Sequence, residues 1–357
     1  MGGGTPSSSN ESFWQGTIPW VSSSDIVEND IKNISISRYI TEEAIAHSAT
    51  KLCPAPSILI VSRVGVGKIA LSKEAICTSQ DFCNLINIKV EPIFLTYCLS
   101  QIMKRKSMEV QGTSIKGITT SEIQKISINI PSLQEQKKIG KILSLLDERI
   151  ATQNKIIEDL KKLKSAIIEK LYKEIQGTWY SYRQLFSIIN ERNKQLEYSN
   201  VLSASQERGM VSREDLNLDI HFERSNISTY KIVKNGDYVI HLRSFQGGFA
   251  FSEKTGICSP AYTVLRPNNL LMYGYLSNYF TSRDFVKSLI IVTYGIRDGR
   301  SINVDEWLDM KVVIPSKEQQ THIVNVIESI ENKIKNEETY SNCLLNQKQY
   351  LLRQMFI

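Results

Sequence analysis

The chain has 357 residues, too many for one ordinary core, so it divides into two or more domains. Its 41% hydrophobic and 22% charged residues are those of a globular protein and exclude a disordered chain, while the formal net charge of +6 favours an acidic partner such as nucleic acid without singling one out. No apolar run reaches the roughly 18 residues of a membrane span. The opening "MGGGTPSSSN" has neither the basic nor the apolar region of a signal peptide, so the expected location is the cytoplasm, with no membrane partner.

Taken from the N-terminus, the chain first offers "SILIVSR" and "KIALS", short runs either side of a Gly-containing turn that predict a β-hairpin. That turn, "RVGVGK" (Arg63–Lys68), has the look of a phosphate loop. Ser62 stands where the first Gly should be and Ile69 where a magnesium-holding Ser or Thr should be, so it reads as a hairpin turn. The stretch "QIMKRKSMEVQGTSIKG" (Gln101–Gly117) then gathers Lys104, Arg105, Lys106 and Lys116 with Thr113 and Ser114. Lysines, arginines and hydroxyls near a Gly turn suit phosphate contacts, and a solvated loop is the alternative.

After "GITTSEIQKISINIP" comes "IPSLQEQKKIGKIL". Ser132 stands three residues before Glu135, the capping-box arrangement at a helix start. Apolar residues follow at 139, 143, 146, 150, 157, 160, 167 and 171, with Gln153 and Lys164 as polar interruptions. This is the 3.5-residue period of a coiled-coil seam. From Ser132 to Ile175 the helix would be about 65 Å long at about 1.5 Å per residue. Its obvious partner is the second helix described below; packing of each helix on its own module is the alternative. The acidic pairs Asp147-Glu148 and Glu158-Asp159 are expected on its solvated face.

The second half begins with "TWYSYRQLFSII" (Thr178–Ile189) and continues through "DYVIHLRS" and "FAFS", a further hairpin pattern. "SPAY" (Ser259–Tyr262) resembles the tetrapeptide with which amino-methyltransferases hold a flipped base, but Ala261 breaks it and no Gly-rich methyl-donor loop precedes it. "TYGIRDGRSIN" (Thr293–Asn303) brings Arg297, Arg300 and Ser301 to the place that the basic stretch occupies in the first half. Arg, Gln and Asn there could reach base edges in the major groove.

The chain then repeats itself. "IPSKEQQTHIVNVI" (Ile314–Ile327) echoes the earlier helix opening, and Pro131 and Pro315 lie 184 residues apart. The offset carries Ile139 to Ile323, Ile150 to Ile334, Leu160 to Leu344 and Leu171 to Met355. Upstream, "SRVGVGKIALS" lies over "LRSFQGGFAFS", matching Arg63 with Arg243 and placing Gln246 in the second turn. The sequence is a tandem duplication of a mixed α/β module and a long helix. The intervening sequences differ strongly, as two binding heads with different targets would. The six cysteines form no C-x-x-C pair and are expected to be reduced core residues. The four histidines, His47, His221, His241 and His322, have no matching positions in the repeat, which argues against a symmetric metal or acid/base site.

The doubled "IPS…EQ…I" opening, with "LLDERI" (Leu145–Ile150), "LKKLKSAIIEKLY" (Leu160–Tyr172) and the head "GGGTPSSSNESFWQGTIPWVSSSDI" (Gly2–Ile26), resembles the specificity subunits of type I restriction-modification enzymes. The resemblance covers essentially the whole chain. It implies an α/β (mixed α+β) fold with two target recognition domains, 1–131 and 177–315, separated by two long antiparallel helices, 132–176 and 316–357, that form a coiled coil with pseudo-twofold symmetry. It implies no catalysis in this chain and no cofactor. S-adenosylmethionine, magnesium and ATP are expected on partners: two modification subunits that methylate DNA and restriction subunits that translocate and cut it. Each recognition domain would read one half of a split, asymmetric site in double-stranded DNA, with the helices setting the spacer. By the same resemblance Trp14, Gln15, Trp20, Ser22 and Ser24 would lie near the DNA-facing side of the first module, the tryptophans having the core as an alternative. Gln134, Glu135, Gln319 and Gln320 would lie where modification subunits dock. "TWYSYRQLFSII" resembles the first strand and helix of such a domain; the first module starts at the Gly-rich turn instead, so an absent strand is expected to leave core and a sheet edge open. A stand-alone DNA-binding scaffold or regulator, or a methyltransferase or nuclease with its own active site, are the competing readings.

Overall fold

The computed structural model describes residues 1–110, 117–205, 208–216, 224–241, 248–294 and 301–356. The chain forms two compact units, Met1–Asn154 with Thr339–Ile357, and Lys155–Glu338. Thr113, Ser114, Lys116, Arg243, Gln246, Arg297 and Arg300 lie outside the described residues.

In the first unit, Ser57–Val61 pairs antiparallel with both Ile69–Ser72 and Phe82–Leu85. Every residue of Ser57–Val61 is buried. The reason is cover on both faces: Ile58 and Ile60 meet Phe94, Leu95 and Met103, whereas Leu59 and Val61 meet Val21, Ile26 and Ile76. A second sheet runs in the order Arg38–Ile40, Ile18–Val21, Ile76–Thr78, Leu52–Cys53, with one parallel pairing between Ile18–Val21 and Ile76–Thr78. Cover for the first sheet comes from the helix Pro92–Val110.

The second unit repeats the central pattern: Tyr238–Ile240 pairs with Phe249–Phe251 and Thr263–Pro267, and the latter with Phe186–Ile189, all antiparallel. Thr178–Ser181 pairs separately with Lys311–Ile314. Its core is aromatic, with Tyr182 stacked on Trp307 at 4.3 Å and Phe249, Phe280 and Phe285 around them.

The predicted long helices are Leu133–Lys173 and Lys317–Met355, of 41 and 39 residues. The first opens with the expected capping box: the Ser132 amide donates to Glu135 Oε2 at 3.0 Å and the Glu135 amide to Ser132 Oγ at 3.4 Å. The predicted seam positions Leu143, Ile150, Gln153 and Ile157 are buried, as are Ile323, Ile327, Ile334 and Leu344. Within the first unit the helix segments run antiparallel, with Lys348 on Asp147 at 2.5 Å and Ser341 Oγ on Asn154 Oδ1 at 2.9 Å. Within the second unit Lys161 meets Glu338 at 2.7 Å and Lys164 meets Glu331 at 2.5 Å, again antiparallel.

Both readings of the helices therefore hold in part, since Leu143 and Ile168 also enter the module cores. One expectation fails. Asp147 is not on a solvated face: its side chain is 17% exposed and accepts the Tyr97 hydroxyl at 2.5 Å besides Lys348. Helical periodicity placed it beside the seam, where a second helix and a module both reach it.

Candidate nucleic-acid interface

The turn between Ser57–Val61 and Ile69–Ser72 puts Gly65 and Gly67 at φ 86° and 103°, a backbone open to glycine. A Cβ on Gly67 would lie 3.1 Å from Ser107, so the turn rests on the C-terminal part of the helix Pro92–Val110. From the other side Ile118 donates its amide to Ser62 O at 2.8 Å, and Gly117 lies against Arg63. Arg63 is exposed, and Lys106, one residue before Ser107, is half-buried.

Lys68 ties this turn to a second one. Its Nζ donates to Ser23 O at 3.3 Å, inside the turn Ser22–Asp25. There the hydroxyls of Ser22 and Ser24 lie 2.8 Å apart, and the Arg38 guanidinium donates to Ser22 Oγ at 2.7 Å and pairs with Asp25. Partial burial pushes the Asp25 carboxyl up, but hydrogen bonds from Ser22 and Arg38 outweigh it and hold the carboxyl below its ordinary value. Arg38 also lies over the Trp20 ring at 4.5 Å. Lys68, Ser22, Ser24 and Arg38 are thus joined by hydrogen bonds into a rim, and with the exposed Arg63 on the Lys68 turn they offer cations and hydroxyls suited to phosphate oxygens and base edges.

Sequence reasoning missed Lys68 and Arg38. Lys68 was visible only as the last residue of a failed phosphate loop, and nothing in the sequence tied Arg38 to Ser22. Gln15 is exposed, and Trp14 is half-buried with its indole N–H on Ser7 O at 3.1 Å. Trp20 is core: it is 3% exposed, donates to Gly4 O at 2.9 Å and meets Trp14 edge-on at 5.1 Å. Its place is beneath the rim, because an indole this large is most favourable buried with its N–H satisfied.

The cations of Gln101–Gly117 separate. Lys104 donates to Asn29 Oδ1 at 3.4 Å, while Arg105 donates to the Phe356 carbonyl at 3.1 Å, just beyond the second long helix. Arg105 is therefore a helix C-terminal partner, where a cation meets unpaired carbonyls. It is not part of the rim.

In the second unit, Tyr238–Ile240 and Phe249–Phe251 flank the positions of Arg243 and Gln246. Ser301 sits in a strand pair, its backbone opposite Tyr294. Elsewhere in this unit Asp237, 2% exposed, takes a two-pronged grip from Arg266 at 2.9 and 2.8 Å. Burial lowers the proton affinity of Lys231, whose ammonium donates to Tyr262 O at 2.7 Å, and of His241. Among the described residues there is no group of three or more His, Cys, Asp or Glu able to hold a metal.

Gln134, Glu135 and Gln319 are exposed at the helix starts. Gln320 is not: it is 1% exposed and brackets the chain, accepting from the Met272 amide at 2.8 Å and donating to Leu270 O and Pro315 O, each at 3.0 Å. Its side chain is consumed by backbone groups that would otherwise be buried without partners.

Comparison with known proteins agrees with this architecture. The type I restriction modification DNA specificity domain matches residues 1–162. The type I restriction enzyme MjaIX specificity subunit of Methanocaldococcus jannaschii is 30% identical over 215 residues, 58% of this chain and 46% of that one. A type I specificity subunit of Escherichia coli is 32% identical over 199 residues, 53% of this chain and 47% of that one. The matches span about half the length of these two relatives. The MjaVIII specificity subunit of M. jannaschii is 25% identical over 317 residues, 78% of this chain and 72% of that one. In fold, the chain is similar to a structure from a type I R-M system, with a TM-score of 0.62 and 15% identity over 96% of this chain and 92% of that one. It is also similar to the S subunit of a type I system from M. genitalium, with a TM-score of 0.54 and 15% identity over 100% and 93% of the two chains. Residues 1–162 thus match the type I restriction modification DNA specificity domain, and the chain is similar in sequence and in fold to type I restriction-modification specificity subunits.

Proposed function

We propose that this chain is the non-catalytic, sequence-reading subunit of a cytoplasmic type I restriction-modification complex. Each module contacts one half of a bipartite, asymmetric site in double-stranded DNA, and the length of the long helices sets the spacer. Two modification subunits bearing S-adenosylmethionine dock near the helix starts at Gln134, Glu135 and Gln319. Restriction subunits bring ATP and magnesium chemistry. In the second module Arg243, Gln246, Arg297, Arg300 and Ser301 are the proposed DNA contacts, and in the first Thr113, Ser114 and Lys116 join Gln15 and the rim.

The observation that carries this reading is the hydrogen-bonded rim of Lys68, Ser22, Ser24 and Arg38, with the exposed Arg63 on the same turn as Lys68. The test is co-expression with the neighbouring modification subunit in a methylation-free host, followed by single-molecule mapping of modified adenines. A split motif seen only with both chains supports the proposal. Modification by this chain alone would favour an enzyme with its own active site, and a DNA footprint unaffected by the modification subunit would favour a free-standing regulator.

A further inference from the structure

The cations of the rim are not held alike. Arg63 is exposed, and the Lys68 ammonium reaches the Ser23 carbonyl at 3.3 Å. Arg38 is held on three sides. It opens the strand Arg38–Ile40, at the edge of its sheet, and pairs in register with Trp20, whose ring its guanidinium overlies at 4.5 Å. Its Nη2 donates to Ser22 Oγ at 2.7 Å and to Asp25 Oδ2. The Ser22 amide and hydroxyl donate to the same Oδ2, at 2.7 and 2.9 Å, so the carboxylate is fixed in turn.

This setting suits a base edge better than a phosphate. Asp25 offsets the charge of Arg38, and a carboxylate beside the guanidinium repels an approaching phosphate. The remaining donors are unspent: among the described residues neither Nε nor Nη1 has a hydrogen-bond partner, and the side chain is 39% exposed. A planar guanidinium already held by a strand, a ring and a carboxylate loses little freedom on binding. Its array holds donors alone, so it calls for an edge with two adjacent acceptors. Among base edges in the major groove only guanine, with N7 and O6, presents that pair; adenine sets a donor beside N7, and thymine a methyl beside O4.

We infer that Arg38 reads a guanine in the half-site of the first module, positioned by Asp25, Ser22 and Trp20, while Arg63 and Lys68 meet phosphates whatever the sequence. The inference rests on the proposed DNA-reading role of the rim and adds to it the base class that is read.

The experiment uses the full chain co-expressed with the modification subunit in a methylation-free host. Modified adenines are mapped by single-molecule sequencing for the parent, Arg38→Lys, Asp25→Asn and Lys68→Ala. Lysine keeps the charge and loses the planar donors, so Arg38→Lys should still modify the parent's sites while one guanine of the motif becomes degenerate. Preference for that guanine should fall by at least about tenfold, since a well-placed arginine–guanine pair discriminates by roughly 5–150-fold. Asp25→Asn should relax the same position to a smaller degree, because it loosens the arginine without removing it. Lys68→Ala should lower modification at all sites alike and relax none. The inference is overturned if Arg38→Lys lowers all sites equally, as loss of a phosphate contact or of a merely structural pair would. An unchanged motif, a relaxed position that is not guanine, or relaxation of a different position by Asp25→Asn overturns it as well. A parent complex that modifies no split motif would instead sink the DNA-reading proposal, and this inference with it.

Discussion

Lys348 holds Asp147 at 2.5 Å in the first unit, and Lys164 holds Glu331 at 2.5 Å in the second. The two pairs are one pair written twice, since Lys164 and Lys348, like Asp147 and Glu331, are 184 residues apart. Each joins the first long helix to the second, with the roles exchanged. A duplicated sequence generates such reciprocal contacts when its two helices meet isologously.

The two pairs should differ in worth. Lys348 and Asp147 are 13% and 17% exposed, whereas Lys164 and Glu331 are 26% and 43% exposed. Lys348→Met should cost about 1–3 kcal/mol, less than a fully buried pair because some solvent remains. Lys164→Met should cost less than about 1 kcal/mol. Chemical denaturation with a double-mutant cycle at each pair checks both, and equal coupling energies would contradict the ranking.

Gln136 and Gln320 form a second repeated device. Gln136 accepts the Glu91 amide at 2.9 Å and donates to Pro131 O at 2.8 Å, as Gln320 does with Met272 and Pro315. Replacing either by Leu leaves buried backbone groups unpaired and should cost about 1–3 kcal/mol. Gln319→Leu, exposed beside it, should be nearly neutral to stability. Urea unfolding of the three variants provides the comparison.

Acid should release the Ser22–Asp25 turn. Asp25 is held below its ordinary value of 3.8 in the folded chain, so the unfolded chain binds its proton first as pH falls. The stability it contributes is complete above pH 3.8 and is lost as pH falls further, through the folded value. Asp25→Asn should therefore be less stable than the parent at pH 6, with the gap closing below about pH 3.8. Thermal melts across this range would show it, and a constant gap would refute it.

DNA binding should separate rim from support. Arg63→Ala and Lys68→Ala in the assembled complex should each flatten the plot of log affinity against log salt by about 0.9 per phosphate contact. Arg105→Ala should leave that slope unchanged and lower the melting temperature, because its partner is the Phe356 carbonyl. Titrations at several salt concentrations distinguish the two classes.

Thiol reactivity gives a further check, and one correction. Five cysteines are buried as expected, but Cys343 is exposed on the second long helix. Burial pushes the Cys77 and Cys258 thiols up to about 12. In native conditions a thiol reagent should label one cysteine rapidly and the rest only on unfolding.

The duplication, the long helices with their seam, the capping box of the first helix and the Gly-containing hairpin turn of the first unit were legible in the sequence. Each depends on local spacing: about 3.5 residues for a seam, Ser three residues before Glu or Gln for a cap, and Gly where φ turns positive. The tertiary structure alone decided what those periodicities could not reach. It sent Arg105 to a helix end, Gln320 and Trp20 into the interior and Asp147 to a lysine 201 residues away, and it joined Lys68 to Ser23 and Arg38 to Ser22. A side chain's partner is set by which surfaces the folded chain brings together, and burial then fixes whether a polar group faces solvent or must bond within the protein.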